Sequence, residues 1–162
     1  MSNLLIFYLR GLIDLTDGSL LSDAYASGSD ALRSDGMFFV GRILADWEAE
    51  RPIPADWVDR FEAFLKWRFE QVTIAEESGS EELVQFGWWF ITERLPEGPM
   101  LDYLVRAIEI AGWIEPDHEV VKRLVARVSE EPESALRCLM LLLQNAREPW
   151  SVRSWASDAR DI

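Results

Sequence analysis

Residues 81–95, EELVQFGWWFITERL, constrain the fold more than any other stretch of the chain. At about 100° per residue, their apolar side chains cover roughly 200° of the circumference of a helix. A helix with so wide an apolar surface must be covered on more than one side. Gly87 falls within this surface, where a residue without a side chain lets a neighbouring backbone come close. The segment therefore predicts a central helix packed between helices that precede and follow it.

Helical spacing of apolar residues predicts further helices on both sides of this segment. The predicted helices are 4–15, 30–49, 55–72, 100–111, a stretch after Pro116, 133–145 and a last stretch that begins at Pro149. Residues 16–29 are rich in Gly, Ser and Asp and predict a loop with one short turn. No stretch alternates polar and apolar residues with the period of a strand for more than a few positions. The sequence therefore predicts an all-α fold.

Two of these helices carry side chains that bear on the packing. In 30–49, the residues expected on the buried face are Leu32, Met37, Phe39, Val40, Ile43, Leu44 and Trp47. In 55–72, Arg68 lies within the apolar stripe, where a long stem can cover apolar surface while the guanidinium reaches outward. We expect a structural arginine paired with a carboxylate.

The length of 162 residues suits one domain that buries a substantial core without disulfides. We expect a single α-helical domain over 1–162, with a helix and loop at 1–29 and helical hairpins at 30–162. Short turns containing Pro or Gly favour antiparallel packing of sequence neighbours. The hairpins could form a stacked α-solenoid or a compact helical bundle.

An internal repeat favours the stacked arrangement. An offset of 47 residues pairs Phe39 with Phe86, Ile43 with Phe90 and Leu44 with Ile91. This offset lies at the upper edge of the roughly 40–47-residue period of HEAT and armadillo repeats. Over residues 31–162 the chain resembles HEAT-like or armadillo-type α-helical repeat proteins, and its FGWWF, VVKRLVARV and PESALRCLMLLL stretches look similar to C-terminal helical arms of large bacterial proteins. The resemblance implies a scaffold or binding role and assigns no catalytic residue.

The charge of the chain restricts its partners. Twenty-nine acidic residues against sixteen basic ones give a net charge of −13, which is spread over both halves of the sequence. Binding to nucleic acid needs a basic footprint, so no nucleic-acid partner is expected. The charge serves solubility, or else it attracts a basic protein.

Neither a membrane span nor a disulfide is expected. The longest apolar runs, 4–9 and 138–143, are far shorter than the roughly 18 residues that a span requires. The N-terminal run resembles a secretory signal, but Arg10 and Asp14 interrupt it, so it is interpreted as a helix of the fold. Cys138 is the single cysteine and favours a reducing compartment. We predict a cytoplasmic protein without a membrane partner.

The sequence offers few groups for catalysis. His118 is the only histidine, which excludes metal sites built on several histidines within this chain, and it is expected to be a capping or surface residue. Leucines surround Cys138, so an inert structural thiol is expected. No glycine-rich phosphate loop is present. We therefore predict no catalytic residue, no metal and no cofactor, with the carboxylate spacings Asp46/Glu50 and Glu77/Glu81 as the alternative basis for an acid–base enzyme.

Two tryptophans are candidate partner-binding residues. Trp89 falls between Gln85 and Glu93, opposite the apolar surface of its helix, with Glu82 near. An exposed tryptophan beside carboxylates would anchor a partner, because Trp is enriched in binding hot spots. The alternative is that the N-terminal helix or residues 16–29 cover it. Trp67 lies on the polar side of 55–72, so the candidate set is Trp89, Glu82, Glu93 and Trp67.

These observations lead to three functional hypotheses. The first is a non-catalytic α-helical interaction module or adaptor whose partner is another protein, with a homodimer as one form. The second is an acidic inhibitor or immunity-type protein that neutralises a basic toxin or nuclease. The third is the carboxylate-based enzyme.

Overall fold

The computed structural model describes residues 1–16, 18–48, 54–72, 81–92 and 97–145, without the side chains at 46–48 and 97–98. The described helices are α1 (Ser2–Leu9), α2 (Leu20–Ser27), α3 (Asp30–Glu48), α4 (Ala55–Gln71), α5 (Glu81–Val84), α6 (Phe86–Phe90), α7 (Glu97–Ala111), α8 (Asp117–Arg127) and α9 (Pro132–Asn145). Helices and no strands occupy this part of the chain, which confirms the all-α fold. The helix predicted from Pro149 onward lies outside the described residues.

The N-terminal region is more helical than predicted. Residues 20–27 form α2, whereas the sequence predicted a loop. The side-chain oxygen of Ser19 accepts a hydrogen bond from the backbone N–H of Ser22 at 3.3 Å and so caps the helix. Leu21 and Tyr25, four residues apart, are both buried and fix one face of α2 in the core. Conversely, the helix predicted over 4–15 ends at Leu9.

The predicted central helix is interrupted at Gln85, which forms a turn between α5 and α6. The backbone N–H of Glu115 donates to the carbonyl of Val84 at 2.7 Å. In a continuous helix that carbonyl would accept from the N–H of Trp88, which instead bonds to the carbonyl of Gln85 at 3.2 Å. The prediction of one helix over 81–95 is therefore wrong at its midpoint, because a distant backbone group takes the helical acceptor. Residues 93–95 lie outside the described part.

Gly87 is where the two backbones meet. A Cβ atom at this position would overlap the carbonyl of Glu115, whose carbon would be only 2.8 Å away. The same Cβ would also lie 2.9 Å from a methyl group of Val120 on α8. The prediction that a missing side chain admits a neighbouring backbone here is confirmed.

The helices pack across the sequence as well as along it. α3 packs against α1, α5 and α6, while α4 packs on α1. α7 lies against α5, α6 and α9, and α8 contacts α6 and α9. The expected contact between sequence neighbours is met by α8 and α9, but the main neighbours of α3 come from later in the chain. This arrangement places α5 and α6 at the centre.

The buried face of α3 differs in part from the predicted one. Met37, Val40 and Leu44 are buried as expected, whereas Leu32 and Phe39 are 51% and 45% exposed. The buried face of α3 is the face that carries Gly41. This glycine is itself buried and lies against Trp88 and Trp89. Leu32 and Phe39 lie on the other side of the helix.

This result bears on the proposed repeat. Phe39 is exposed, while Phe86, its counterpart at the 47-residue offset, is fully buried. The pair does not share an environment. The HEAT-like repeat stays a prediction.

We predict that Gly87→Ala destabilises the protein. Alanine in place of glycine inside a helix usually stabilises it by about 0.5–1 kcal/mol, but here the added methyl group meets the Glu115 carbonyl. Overpacking of this kind costs about 1–3 kcal/mol. The free energy of unfolding, measured by denaturant titration, should fall accordingly. As a control, Gly18→Ala adds a methyl group with no atom within 4 Å and should cost only the strain of a positive φ. A Gly87→Ala variant as stable as the wild type would contradict the close approach.

Candidate functional site

Trp89 lies at the centre of the core. Its side chain is fully buried, and its indole N–H donates to the carbonyl of Met37 on α3 at 2.7 Å. From α4, Phe61 meets the indole edge-on at 5.0 Å between ring centroids, and Phe64 stacks on it at 5.8 Å. A Cβ at Gly41 would lie 2.6 Å from Trp89 Cδ1, so the glycine admits the ring.

The interpretation of Trp89 as an exposed anchor is therefore wrong. The side of the segment that reads as polar in the sequence faces α3 and α4. The alternative interpretation, that other elements cover Trp89, agrees with its burial, but the cover comes from α3 and α4 instead of the N-terminal helix or residues 16–29. Glu93, the second carboxylate expected beside Trp89, lies outside the described residues.

Glu82 is fully buried in an ionic cluster. Its carboxylate accepts hydrogen bonds from Arg68 Nε at 3.0 Å and from Arg68 Nη2 at 2.7 Å. Arg33 Nε lies 3.5 Å from the same carboxylate, and Arg33 Nη2 lies 3.7 Å from Asp30. We call Glu82, Arg68, Arg33 and Asp30 the Glu82 cluster. It links α3, α4 and α5, and it confirms the expectation that Arg68 pairs with a carboxylate.

The environment keeps Arg68 charged. Burial alone would lower the pKa of its guanidinium, but the hydrogen bonds to Glu82 and the negative charge of that carboxylate raise it overall. A buried carboxylate held by two guanidiniums is a strong constraint on packing, because removing one partner leaves a charge uncompensated. This arrangement explains why Glu82 is buried although it is charged.

Trp67 lies at the edge of the same region. Tyr25 on α2 meets Trp67 edge-on at 5.6 Å and Phe64 at 5.5 Å, and the guanidinium carbon of Arg68 lies 5.6 Å above the Tyr25 ring. Trp67 is half-buried, so part of its ring is available to a ligand. Its role in partner binding stays a prediction.

Tyr25 is buried together with its hydroxyl group. Burial raises the pKa of Tyr25 well above its usual range, and the charge of Glu82 adds to this effect. The hydroxyl oxygen has no hydrogen-bond partner among the described residues. An unpaired buried hydroxyl costs free energy.

A cavity of about 270 Å³ opens beside these residues, between α2 and α4. We call it the α2–α4 cavity. Its lining comprises Gly18, Ser22, Asp23, Tyr25, Ala26, Trp67, Arg68 and Gln71. The lining thus combines an aromatic ring, a cation and a carboxylate.

A second, larger feature is a groove between α7 and α9, with a volume of about 770 Å³. Its lining comprises Pro99, Asp102, Tyr103, Val105, Arg106, Glu109, Glu133, Ser134 and Arg137. Arg137 pairs with Glu109 at 2.6 Å, and Arg106 Nη2 donates to the carbonyl of Phe69 at 2.8 Å. Both cations of the groove are thus already engaged.

Three carboxylates lie near Tyr103, an aromatic residue that lines this groove. Tyr103 stacks on Phe69 with ring centroids 4.8 Å apart. Burial raises the pKa of Tyr103, and the negative charges of Glu62, Glu70 and Asp102 raise it further, against the opposing effect of Arg106. Three carboxylates and one guanidinium therefore lie close to Tyr103.

Next to the groove, α9 exposes an apolar stripe. Leu136, Met140 and Leu143 are 46%, 58% and 53% exposed. Their spacing of four and three residues places them on one side of the helix, adjacent to Glu133 and Arg137. We call these three residues the α9 stripe.

Cys138 and His118 lie in the environments that the sequence analysis expected. Cys138 is fully buried, and burial raises its pKa to about 12. His118 is exposed in the first turn of α8, as expected of a surface histidine. Among the described residues, no group of three or more His, Cys, Asp or Glu side chains could hold a metal ion. The predicted absence of metal, cofactor and catalysis stays a prediction.

The carboxylate spacings proposed for an acid–base enzyme fall mainly outside the described part. The side chains of Asp46, Glu50 and Glu77 belong to the undescribed residues, and the side chain of Glu81 is exposed. The described residues therefore give this hypothesis no support.

In comparisons with known proteins, no family model, no curated protein and no solved structure matches the chain. Among the described residues, no helix combines the length and the apolar character that crossing a membrane requires.

The structure brings together part of the predicted site. Glu82 and Trp67 both lie beside Tyr25 and Arg68, and Trp89 is linked to Trp67 through Phe64. Sequence analysis missed Tyr25 and Arg33. Its interpretation of 133–145 as a buried helix is wrong for the α9 stripe, which is exposed. Leu21 and Tyr25 carry the helical spacing that could have identified α2, but the surrounding Gly, Ser and Asp residues obscured it.

We predict that Glu82→Gln lowers the free energy of unfolding by about 3–5 kcal/mol, because Arg68 and Arg33 lose their buried counter-charge. The exposed neighbour Glu81 provides a matched control, and Glu81→Gln should change stability by no more than about 0.5 kcal/mol. Thermal and denaturant unfolding measure the stability of the two variants. Equal stabilities would show that the Glu82 cluster does not hold the helices together.

The Cys138 thiol should be unreactive while the protein is folded. Its pKa of about 12 lies above the ordinary value of 9.0, so the folded state keeps its proton where the unfolded state loses it. This contribution to stability is therefore complete below about pH 9 and is lost as the pH rises toward 12. Alkylation by iodoacetamide at mildly alkaline pH should be at least about a hundredfold slower in native protein than in denaturant. Similar rates in the two states would contradict the burial of Cys138.

Proposed function

We propose that the chain is a non-catalytic protein–protein interaction module that binds an amphipathic helix of another protein. The binding surface is the α9 stripe together with the α7–α9 groove. The single observation that carries the proposal is the exposure of Leu136, Met140 and Leu143, each about half exposed on one side of α9.

The apolar part of this surface suits a helical partner. Large apolar side chains grouped on one exposed face are typical of interaction sites. Burying one such side chain contributes on the order of 2 kcal/mol. An amphipathic helix presents anchors at positions i, i+3, i+4 and i+7, which match the spacing of the stripe.

The charged part of the surface favours a basic flank on the partner. Arg106 and Arg137 are engaged by the Phe69 carbonyl and by Glu109. The lining of the groove holds three carboxylates, those of Asp102, Glu109 and Glu133, against these two guanidiniums, and so carries a net negative charge. A net charge of −13 would also speed the encounter with a basic partner.

A cytoplasmic location belongs to this proposal. It is supported by the single cysteine, which can form no internal disulfide. The resemblance to HEAT-like repeats, which serve as binding scaffolds, supports the same role.

The second candidate function is the acidic inhibitor of a basic toxin or nuclease. Glu62, Glu70 and Asp102 around Tyr103 favour it, because α4 and α7 concentrate negative charge at one place. It differs from the first candidate in depending on this charge rather than on the α9 stripe. Charge-dominated binding would weaken steeply with added salt, whereas apolar docking would persist.

The test compares two variants that each place a carboxylate on an exposed apolar position. Met140→Glu disrupts the α9 stripe, while Leu20→Glu, at a position 61% exposed on α2, is the control. A partner captured from the native host should be retained by the wild type and by Leu20→Glu. Its affinity for Met140→Glu should be at least about thirtyfold lower, as for a binding hot spot.

Circular dichroism of both variants shows whether each is folded. Retention of every partner by a folded Met140→Glu variant would overturn the proposed surface. Sedimentation analysis of the purified protein tests whether a second copy of the chain occupies the surface. A wild-type dimer that Met140→Glu converts to a monomer would identify a second copy, rather than another protein, as the occupant.

A further inference from the structure

We propose that the α2–α4 cavity binds a small zwitterion, a free α-amino acid, with its carboxylate at Arg68 and its ammonium group at Asp23. The site is separate from the α7–α9 surface. The proposal rests on the size of the cavity, on the opposite charges in its lining, and on the hydrogen-bonding groups that the described residues leave without partners.

The size of the cavity limits the ligand. A volume of about 270 Å³ lies just below the range of about 300–1,000 Å³ for drug-sized ligands. It therefore suits a molecule with on the order of ten non-hydrogen atoms. Trp67 provides an aromatic surface for an apolar side chain, and Ala26 adds a small apolar patch.

Arg68 is held in place for a carboxylate. Its Nε and Nη2 donate to Glu82, and among the described residues no hydrogen bond engages its Nη1. The bidentate contact fixes the plane of the guanidinium before any ligand arrives, so little conformational freedom is lost on binding. Arg33 lies 3.5 Å from the same carboxylate, so Glu82 has a second cation and Arg68 can share its charge with a ligand.

Asp23 supplies the opposite charge. Its carboxylate is exposed at the cavity and forms no ion pair with Arg68 or another described residue. Beside it, Ser22 donates its hydroxyl hydrogen to the carbonyl of Ser19, which leaves the Ser22 oxygen as an acceptor. A carboxylate and a hydroxyl oxygen are the acceptors that an ammonium group needs.

The charges at the cavity favour a zwitterion over simpler ligands. A dianion such as phosphate would be repelled by Asp23 and by the nearby Glu82. A plain cation would be bound by Asp23 and the Ser22 oxygen alone and would leave Arg68 Nη1 without a partner. A zwitterion matches the opposite charges of Arg68 and Asp23 in the cavity lining.

The experiment titrates the full chain with each of the common free L-amino acids at millimolar concentration. The signal is the NMR resonance of the Trp67 indole N–H, assigned by its loss in Trp67→Phe. At least one amino acid should shift this resonance and saturate it. For that amino acid, the carboxamide analogue, which lacks the carboxylate, should bind at least about tenfold more weakly. The deaminated acid, which lacks the ammonium group, should bind more weakly by a similar factor.

A matched pair of variants tests the role of Asp23. Asp23→Asn should lower the affinity for the same amino acid about tenfold and leave the affinity for the deaminated acid unchanged. Asp35→Asn, an exposed position outside the cavity lining, should change neither affinity. Absence of saturable binding by every amino acid would overturn the proposal. Equal binding of the amino acid and its deaminated analogue, or an Asp23→Asn variant with wild-type affinity, would overturn it as well.

Discussion

The burial of Trp89 is the constraint on which the other packing depends. Its indole N–H has one partner, the carbonyl of Met37, and the ring fits only because Gly41 leaves room on α3. An indole N–H without a partner in this position would cost free energy, so α3 and α6 are fixed in both distance and rotation. Phe61 and Phe64 then hold α4 against the other face of the ring.

The Glu82 cluster and the close contact at Gly87 extend this constraint in two directions. Toward the N-terminal half, Arg33 and Arg68 bind one buried carboxylate and fix α5 against α3 and α4. Toward the C-terminal half, the Glu115 backbone contacts α5 and α6, so α8 begins at a defined place. The centre of the fold is thereby devoted to packing, and the surfaces proposed for binding lie on the outer faces of α2, α4, α7 and α9.

Sequence analysis predicted the helices well where apolar spacing is regular, as in α4, α8 and α9. It left the exposure of Trp89 open, and the interpretation as an exposed anchor fails because it treated the side of the helix that carries Glu82 as solvent-exposed. That side is buried because Arg68, from the apolar stripe of another helix, neutralises the carboxylate. The break at Gln85 depends on a hydrogen bond from Glu115, thirty residues away, which local spacing cannot show. The groove and the cavity likewise need the packing of helices distant in sequence.

Hydrogen exchange of the Trp89 indole N–H tests the account most directly. The signal can be assigned by its loss in Trp89→Phe. If α3, α4 and α6 are fixed around this ring, the N–H exchanges only when the whole protein unfolds, and the free energy of exchange equals the free energy of unfolding from denaturant titration. Exchange at the rate of a freely exposed indole would contradict the account.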